Sequence, residues 1–255
     1  MSIESADPGL VSGDPHLIEP IAARGWPAVE TEALGGWRLH ASAGHSGRIN
    51  TCWTLGDADR PVDDAIAAAE AWYAARHIAP RFKLVEGWGE TSDLAARLAR
   101  RGYTSNTPTL TMVGPLAGEA DPDAKVSSAT CTGFRRVFAD PSFGHAEDAR
   151  ERLGALDRMP APRGFALIRR EGEPAAVGAC AVEGEWAGFM GMRTAPAWRR
   201  QGLARRLFRS LVAFAESTGA RQGYLQVDED NASAIGLYRS EGFAPAYLYR
   251  YWAKD

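Results

Sequence analysis

The pattern of apolar positions changes period sharply around Pro196. From Trp186 to Thr194 the chain runs Trp-Ala-Gly-Phe-Met-Gly-Met-Arg-Thr and reads as a strand. Pro196 ends it. Beyond Gly202, the residues Leu203, Leu207, Leu211 and Ala215 recur at helical spacing, with Ala204, Phe208 and Val212 beside them. Arg205, Arg206 and Arg209 fall off that apolar face. The predicted unit is a strand, a basic turn containing Gly202, and a helix.

The same reading extends along the chain. Residues 1–14 are polar, rich in Gly, Pro and Ser, and predicted loose. A short helix is expected over 15–24. Strands follow over 31–43 and 47–55, with Trp37, Leu39, Ile49 and Trp53 inward. Pro61, with Asp63 and Asp64 in the first turn, opens a helix to about residue 76 whose face is Ile66, Ala69, Trp72 and Tyr73. Then come a strand at 82–85, a helix over 93–101 ended by Gly102, and a strand at 108–113. Residues 115–128 have linker composition. The second half opens with an expected strand over 131–138 and a helix over 147–159. A hairpin over 165–170 and 175–182 leads to the strand at 186–194 and the helix beyond Gly202. A strand over 224–228, a helix over 231–241 and a strand over 246–252 complete it.

The order helix, strand, helix, Gly-aromatic, strand occurs twice. A shift of about 140 positions lays Gly102-Tyr103 on Gly242-Phe243, which points to two related α+β units. The expected organisation is residues 1–14, a first unit over 15–114, a linker over 115–128 and a second unit over 129–255. Under the shift Gly202 falls on Val62, Ala204 on Asp64, Arg199 on Asp59 and Tyr238 on Leu98. The basic glycine turn of the second unit is an acidic turn without glycine in the first.

Composition narrows the function classes. The 255 residues are 45% hydrophobic, ordinary for a folded protein, and the formal net charge of −3 gives no global reason to expect nucleic acid or an anionic membrane as partner. Cys52, Cys131 and Cys180 are far apart and odd in number, with no metal spacing and no disulfide framework. No apolar run is long enough to span a bilayer, and the first residues lack a signal-peptide pattern, so the cytoplasm is the expected compartment.

The turn before residue 203 suits an anion. A helix start presents free N–H groups and the positive end of the dipole, Gly202 offers no side chain, and Arg199 and Arg200 add charge. The dipole alone is worth only about 0.3–1 kcal/mol, so the arginines and N–H bonds must supply the rest. The run Arg199-Arg200-Gln201-Gly202-Leu203-Ala204 resembles the Arg/Gln-x-x-Gly-x-Gly/Ala pyrophosphate motif of the GNAT superfamily of acetyl-CoA-dependent N-acetyltransferases. The likeness continues through Tyr224-Leu-Gln-Val-Asp-Glu-Asp-Asn231 and Ala234-Ile-Gly-Leu-Tyr238-Arg-Ser-Glu-Gly-Phe243, and covers about residues 165–252.

The resemblance implies an α+β fold of two GNAT-like units, each a mixed, mostly antiparallel sheet flanked by helices, with a degenerate first half. It implies acetyl-CoA as co-substrate, no metal, and acetyl transfer to a primary amine by direct attack. The acceptor is then a small molecule or a peptide, and the chain a monomer or homodimer. A non-catalytic acyl-CoA binding module is the alternative. In family terms Met192, Arg193 and Thr194 offer strand backbone to the pantetheine, Arg199, Arg200, Gln201, Gly202, Leu203 and Ala204 hold the pyrophosphate, and Tyr238 stands near the sulfur as acid. Asn231 is either a pantetheine contact or a helix cap. The base is open. Glu183 and Glu185 at a strand junction near the expected slot, and Asp228 and Glu229 at the end of the next strand, are candidates, each of the four reading first as a solvated turn charge, and a water chain is a further possibility. His40 and His45 are weaker candidates for the acceptor side.

Overall fold

A computed structural model describes residues 13–87, 91–106 and 108–254. The predicted loose start therefore lies almost wholly outside the described residues. Among those described, seven helices and twelve strands alternate around one mixed sheet.

The first half begins with α1 (Pro15–Gly25), capped by Asp14, whose side chain accepts from the His16 N–H at 2.8 Å. The stretch expected as one strand at 31–43 is a hairpin, β1 (Glu30–Leu34) and β2 (Trp37–Ala41). It reverses at Gly35, where φ is +57° and a Cβ would lie 2.4 Å from the Ala58 backbone, so only glycine fits. The expected strand at 47–55 is shorter: a 3-10 turn (Gly47–Ile49) and then β3 (Thr51–Trp53). Trp37, Leu39, Ile49 and Trp53 are all buried, as their alternation implied. Next come α2 (Val62–Ala74), β4 (Arg81–Val85), α3 (Thr91–Arg100), the short β5 (Thr104–Ser105) and β6 (Thr109–Pro115).

The second half contains β7 (Ala124–Ser127), α4 (Thr132–Phe138), α5 (Ala146–Arg158), β8 (Arg163–Arg170), β9 (Glu173–Glu183) and β10 (Trp186–Thr194). Then follow α6 (Leu203–Ser217), β11 (Gln222–Asp228), α7 (Ala232–Ser240) and β12 (Ala244–Ala253). The expected strand over 131–138 is instead helix α4. Phe134, Val137 and Phe138 are buried together, which is the i, i+3, i+4 spacing of one helix face. The 115–128 segment is partly ordered by pairing: β7 adds an edge strand to β8, and Arg206 donates to both Asp121 and Asp123.

The sheet order is β1-β2-β3-β4-β12-β6-β11-β10-β9-β8-β7. The two halves are interleaved at its centre. Strand β6 of the first half lies between β11 and β12 of the second, with Val113 opposite Tyr224 on one side and Ala244 on the other. Strand β12 in turn lies between β4 and β6, with Tyr249 opposite both Val85 and Thr109. The β-rich run Thr109 to Val113 is buried throughout, the pattern of a central strand covered on both faces. Each half keeps one parallel pair, β3 with β4 and β10 with β11, so the repeat read from sequence is also a repeat of topology. On one face α6 packs Leu203, Leu207, Phe208, Leu211 and Val212 against the centre of the second half. No described helix is long and apolar enough to cross a membrane.

Candidate active site

Strands β10 and β11 pair in parallel only from Trp186 to Phe189, opposite Gln222 to Leu225. Beyond that they part. Met190 to Thr194 stay with β9, while Gln226 to Asp228 stay with β6. A bulge marks the parting. Met190 pairs with Ala179 and Arg193 with Val177, so Gly191 and Met192 share the space of one β9 residue and have no ladder partner. Gly191 is required at the bulge, and Gly178 opposite leaves room for the Met192 side chain. Gly191 has φ +65°, and a Cβ there would lie 2.8 Å from the Phe138 ring; a Cβ on Gly178 opposite would lie 2.3 Å from Met192 Sδ.

The cleft opened this way holds about 780 Å³. At its end stands the start of α6. Arg199 turns back to donate its Nε–H to the Thr194 carbonyl at 3.2 Å, Arg200 has φ +63°, and Gly202 caps the helix with φ +74°. The first turn has neither a side-chain cap nor an acidic residue, and the missing Cβ of Gly202 faces open space. These are the features an anion cradle needs: free N–H groups, no side chain in the way, and cations nearby.

Of the residues singled out from sequence, Met192, Arg193, Thr194, Arg199, Ala204, Asn231 and Tyr238 line the cleft. Arg200, Gln201 and Gly202 are exposed at the turn without lining it, and the Leu203 side chain is buried in the core, leaving only its backbone for a ligand. Arg193 lies 4.2 Å over the Phe138 ring and 4.9 Å over Phe143, and burial lowers its pKa to about 10. Asn231 serves its capping role, accepting from the Ala234 N–H at 3.1 Å, and lines the cleft as well.

Tyr238 is 8% exposed and packs its ring 5.2 Å from Phe208. Its hydroxyl makes no hydrogen bond among the described residues, so it is free to donate into the cleft. Burial pushes its pKa up to about 12, which keeps the proton on the oxygen near neutrality.

Glu183 and Glu185 are not brought to the cleft. They flank the turn at the start of β10, whereas the cleft opens from Phe189 onward; at about 3.3 Å per residue that is roughly 10 Å or more along the strand, and neither residue lines the cleft. Glu183 instead accepts from Arg24 at 2.6 Å, and Glu185 lies 3.5 Å from Arg221. Among the described residues the carboxylate that does line the cleft is Asp228, which accepts from the Thr109 hydroxyl at 3.4 Å. His40 also lies elsewhere, in a second cavity under α1, and burial lowers its pKa to about 4.

Sequence reading missed the far wall. Trp26, Ser46, Gly47 and Arg48 come from the first half, and Gln226, Tyr249 and Tyr251 from the interleaved strands. The spacing of Tyr249 and Tyr251 puts both on one strand face, a signal open to detection. Ser46 to Arg48 carry no comparable local signal. No group of His, Cys, Asp or Glu among the described residues is arranged to hold a metal ion.

A mixed sheet splayed at a bulge, with a glycine-capped basic helix start at the opening, defines an acyltransferase of the GNAT class. Within that superfamily the chain belongs to the family described as "Probable histone acetyltransferase Rv0428c C-terminal", which it matches over residues 16–252. It is 25% identical over 246 residues to "Uncharacterized N-acetyltransferase YobR" of Bacillus subtilis, covering 94% of this chain and 99% of that protein. Its fold is similar to a GCN5-related N-acetyltransferase from Kribbella flavida, with TM-score 0.69 and 20% identity over 96% of each chain. A tandem GNAT protein from the clavulanic acid biosynthesis pathway is also similar, with TM-score 0.62 and 14% identity over 97% of this chain and 90% of that one.

Proposed function

We infer that the chain transfers an acetyl group from acetyl-CoA to a primary amine by direct attack, at the cleft between β10 and β11. The observation that supports this best is the coincidence of the strand parting after Phe189 with the uncapped α6 start at the cleft's end. A pantetheine arm needs strand backbone released from its neighbour, and a pyrophosphate needs the free N–H groups beyond it. Gly191 and Met192, freed from the β9 ladder, offer backbone groups to the thioester carbonyl, where an N–H donor stabilises developing negative charge.

An alkylammonium with a pKa near ~10.4 must lose a proton before it attacks. Asp228 is the carboxylate on the cleft wall and accepts that proton, directly or through water. Tyr238 donates its own proton to the departing sulfur. The first-half helix start has Asp63 and Asp64 in its first turn and no glycine cap, so a pyrophosphate there would meet carboxylates where the second half offers arginines and an open glycine.

Calorimetry with acetyl-CoA, together with free-thiol release in the presence of an amine panel, tests the reading. One molecule bound per chain and acceptor-dependent thiol release are expected. Absence of acetyl-CoA binding, or binding with no turnover for any amine, would overturn it, the second outcome leaving a non-catalytic acyl-CoA module.

A further inference from the structure

Four arginines and one carboxylate, Asp228, line the cleft among the described residues. The arginines are not equivalent. Arg152 is matched by Asp148 at 2.9 Å. Arg193 and Arg199 stand at the end of β10 and beside the α6 start, both near the Phe143 ring, on the side suited to donor phosphates. Arg48 belongs to the first half and stands apart from them. Its guanidinium lies 5.8 Å from the Trp26 ring and interacts electrostatically with Tyr249 and Tyr251. No carboxylate of the described residues forms an ion pair with it. Glu19, whose charge it also feels, is already engaged by Lys83, by the Tyr247 hydroxyl at 2.7 Å and by the Gln226 amide at 3.0 Å.

The turn that carries Arg48 is held in place from both halves. The Asn50 side chain, fully buried, accepts from the Ser42 and Gly44 N–H groups at 2.7 and 3.0 Å and donates to the Ser46 carbonyl at 2.8 Å and to Glu151 at 2.9 Å. Glu151, on α5 of the second half, also accepts from the Ala43 and Ser46 N–H groups. The turn is therefore fixed, and its guanidinium, hydrogen-bonded to Tyr249 but in no ion pair among the described residues, stands on the cleft wall with donors suited to an anion.

We propose that Arg48 binds a carboxylate on the acceptor, so that the substrate is a small amine bearing a carboxylate, such as an amino acid, and not a simple alkylamine. This rests on the acetyl-transfer reading above. Electrostatics point the same way. A plain alkylammonium entering this cleft meets a lining richer in cations than anions, whereas a zwitterion brings its own compensating charge. The Arg48 fork matches a carboxylate with two parallel N–H···O bonds.

The test compares ω-amino carboxylates, from glycine to aminohexanoate, each with the alkylamine of the same length, by thiol release from acetyl-CoA. In the intact protein the best carboxylate should exceed its matched amine in kcat/KM by about tenfold or more, mainly through KM. Arg48→Met should collapse that ratio to near unity, and Arg48→Lys should retain part of it. Acetyl-CoA affinity, read by calorimetry, shows whether the Arg48→Met cleft is still formed. Equal use of both series by the intact protein, or a preference that survives in Arg48→Met, overturns the proposal while leaving acetyl transfer standing. Failure of acetyl-CoA to bind sinks the acetyl-transfer reading instead. The carboxylate preference is then judged by titrating both series onto the protein alone, where no difference between them counts against Arg48.

Discussion

Lys83 on β4 donates to Glu19 on α1, and the pair is sealed from water: the side chains are 2% and 0% exposed. The ammonium also lies 3.7 Å from the Tyr249 ring and 4.4 Å from the Trp53 ring. Glu19 is completed by Tyr247 on β12 and Gln226 on β11, so one carboxylate touches both halves where their strands interleave. A buried pair of this kind is costly to break from one side, because the remaining charge is left without a partner. Lys83→Met should therefore lower unfolding free energy by about 3–5 kcal/mol. The double variant Glu19→Leu/Lys83→Met should be less destabilised than Lys83→Met alone. Urea denaturation of the parent and the two variants decides this, and a double variant at least as destabilised as Lys83→Met would show that a stranded carboxylate is not the cause of the loss.

Gly202 provides a second test. Its φ of +74° means any side chain there is strained by about 1–2 kcal/mol, yet a Cβ meets nothing within 4 Å. Gly202→Ala and Gly202→Glu should lose similar stability and both remain folded. Acetyl-CoA affinity should fall steeply in Gly202→Glu, where a carboxylate stands at the anion cradle, and much less in Gly202→Ala. Equal affinities by calorimetry would remove the turn from the donor site.

The turn was legible from sequence because its determinants are local. A period change, Pro196 and Gly202 are enough to set the strand Trp186–Thr194, which the structure reproduces end to end, and the helix after it. The interleaving was not legible. The Thr109–Pro115 run declares itself a central strand, but nothing within it says whose sheet it completes. Residues 131–138 contain Phe134, Val137 and Phe138 at helical spacing, yet a stretch this short is ambiguous until Phe165 and Met190 supply the surface those rings cover. Arg48 was hidden for a different reason. Its turn is fixed by a contact between Asn50 and Glu151, 101 positions apart.

Tyr238→Phe should separate chemistry from packing. The ring keeps its contact with Phe208, and the lost hydroxyl had no hydrogen bond among the described residues, so stability should barely change. Turnover should fall by about 10²–10⁴-fold with acetyl-CoA affinity within a few-fold. Undiminished thiol release with a good acceptor would make Tyr238 a packing residue.

His40 predicts a pH dependence of stability. It is 6% exposed and its pKa falls from 6.5 to about 4, chiefly through burial and then through Lys83 and Arg38. The folded state holds it neutral while the unfolded chain takes up a proton below pH 6.5. Its contribution is therefore complete above that value and is lost as pH falls toward 4. Between pH 7 and pH 5 the loss is about 2 kcal/mol. His40→Gln should flatten the stability profile in this window, and a variant with the same slope as the parent would show that other groups cause it.

The interleaved strands set the division of labour between the halves. A fragment of residues 129–255 lacks β4, β5 and β6, so β11 loses the partner that spans Gln222 to Asp228, and β12 loses all three of its ladders. The bare β11 edge is a site for aggregation, and the apolar face under α1 is exposed with it. The fragment should therefore be insoluble or molten when produced alone. Residues 1–128 should fail likewise, because β4 then loses β12. Produced together, the two fragments should recover a folded complex through exchange of β6 and β12, binding one acetyl-CoA. Circular dichroism, gel filtration and calorimetry on the separate and combined fragments give the answer. A stable, monomeric 129–255 fragment with unchanged acceptor kinetics would show that the first half is dispensable. Two molecules of acetyl-CoA per intact chain would show that its acidic turn does not exclude the donor.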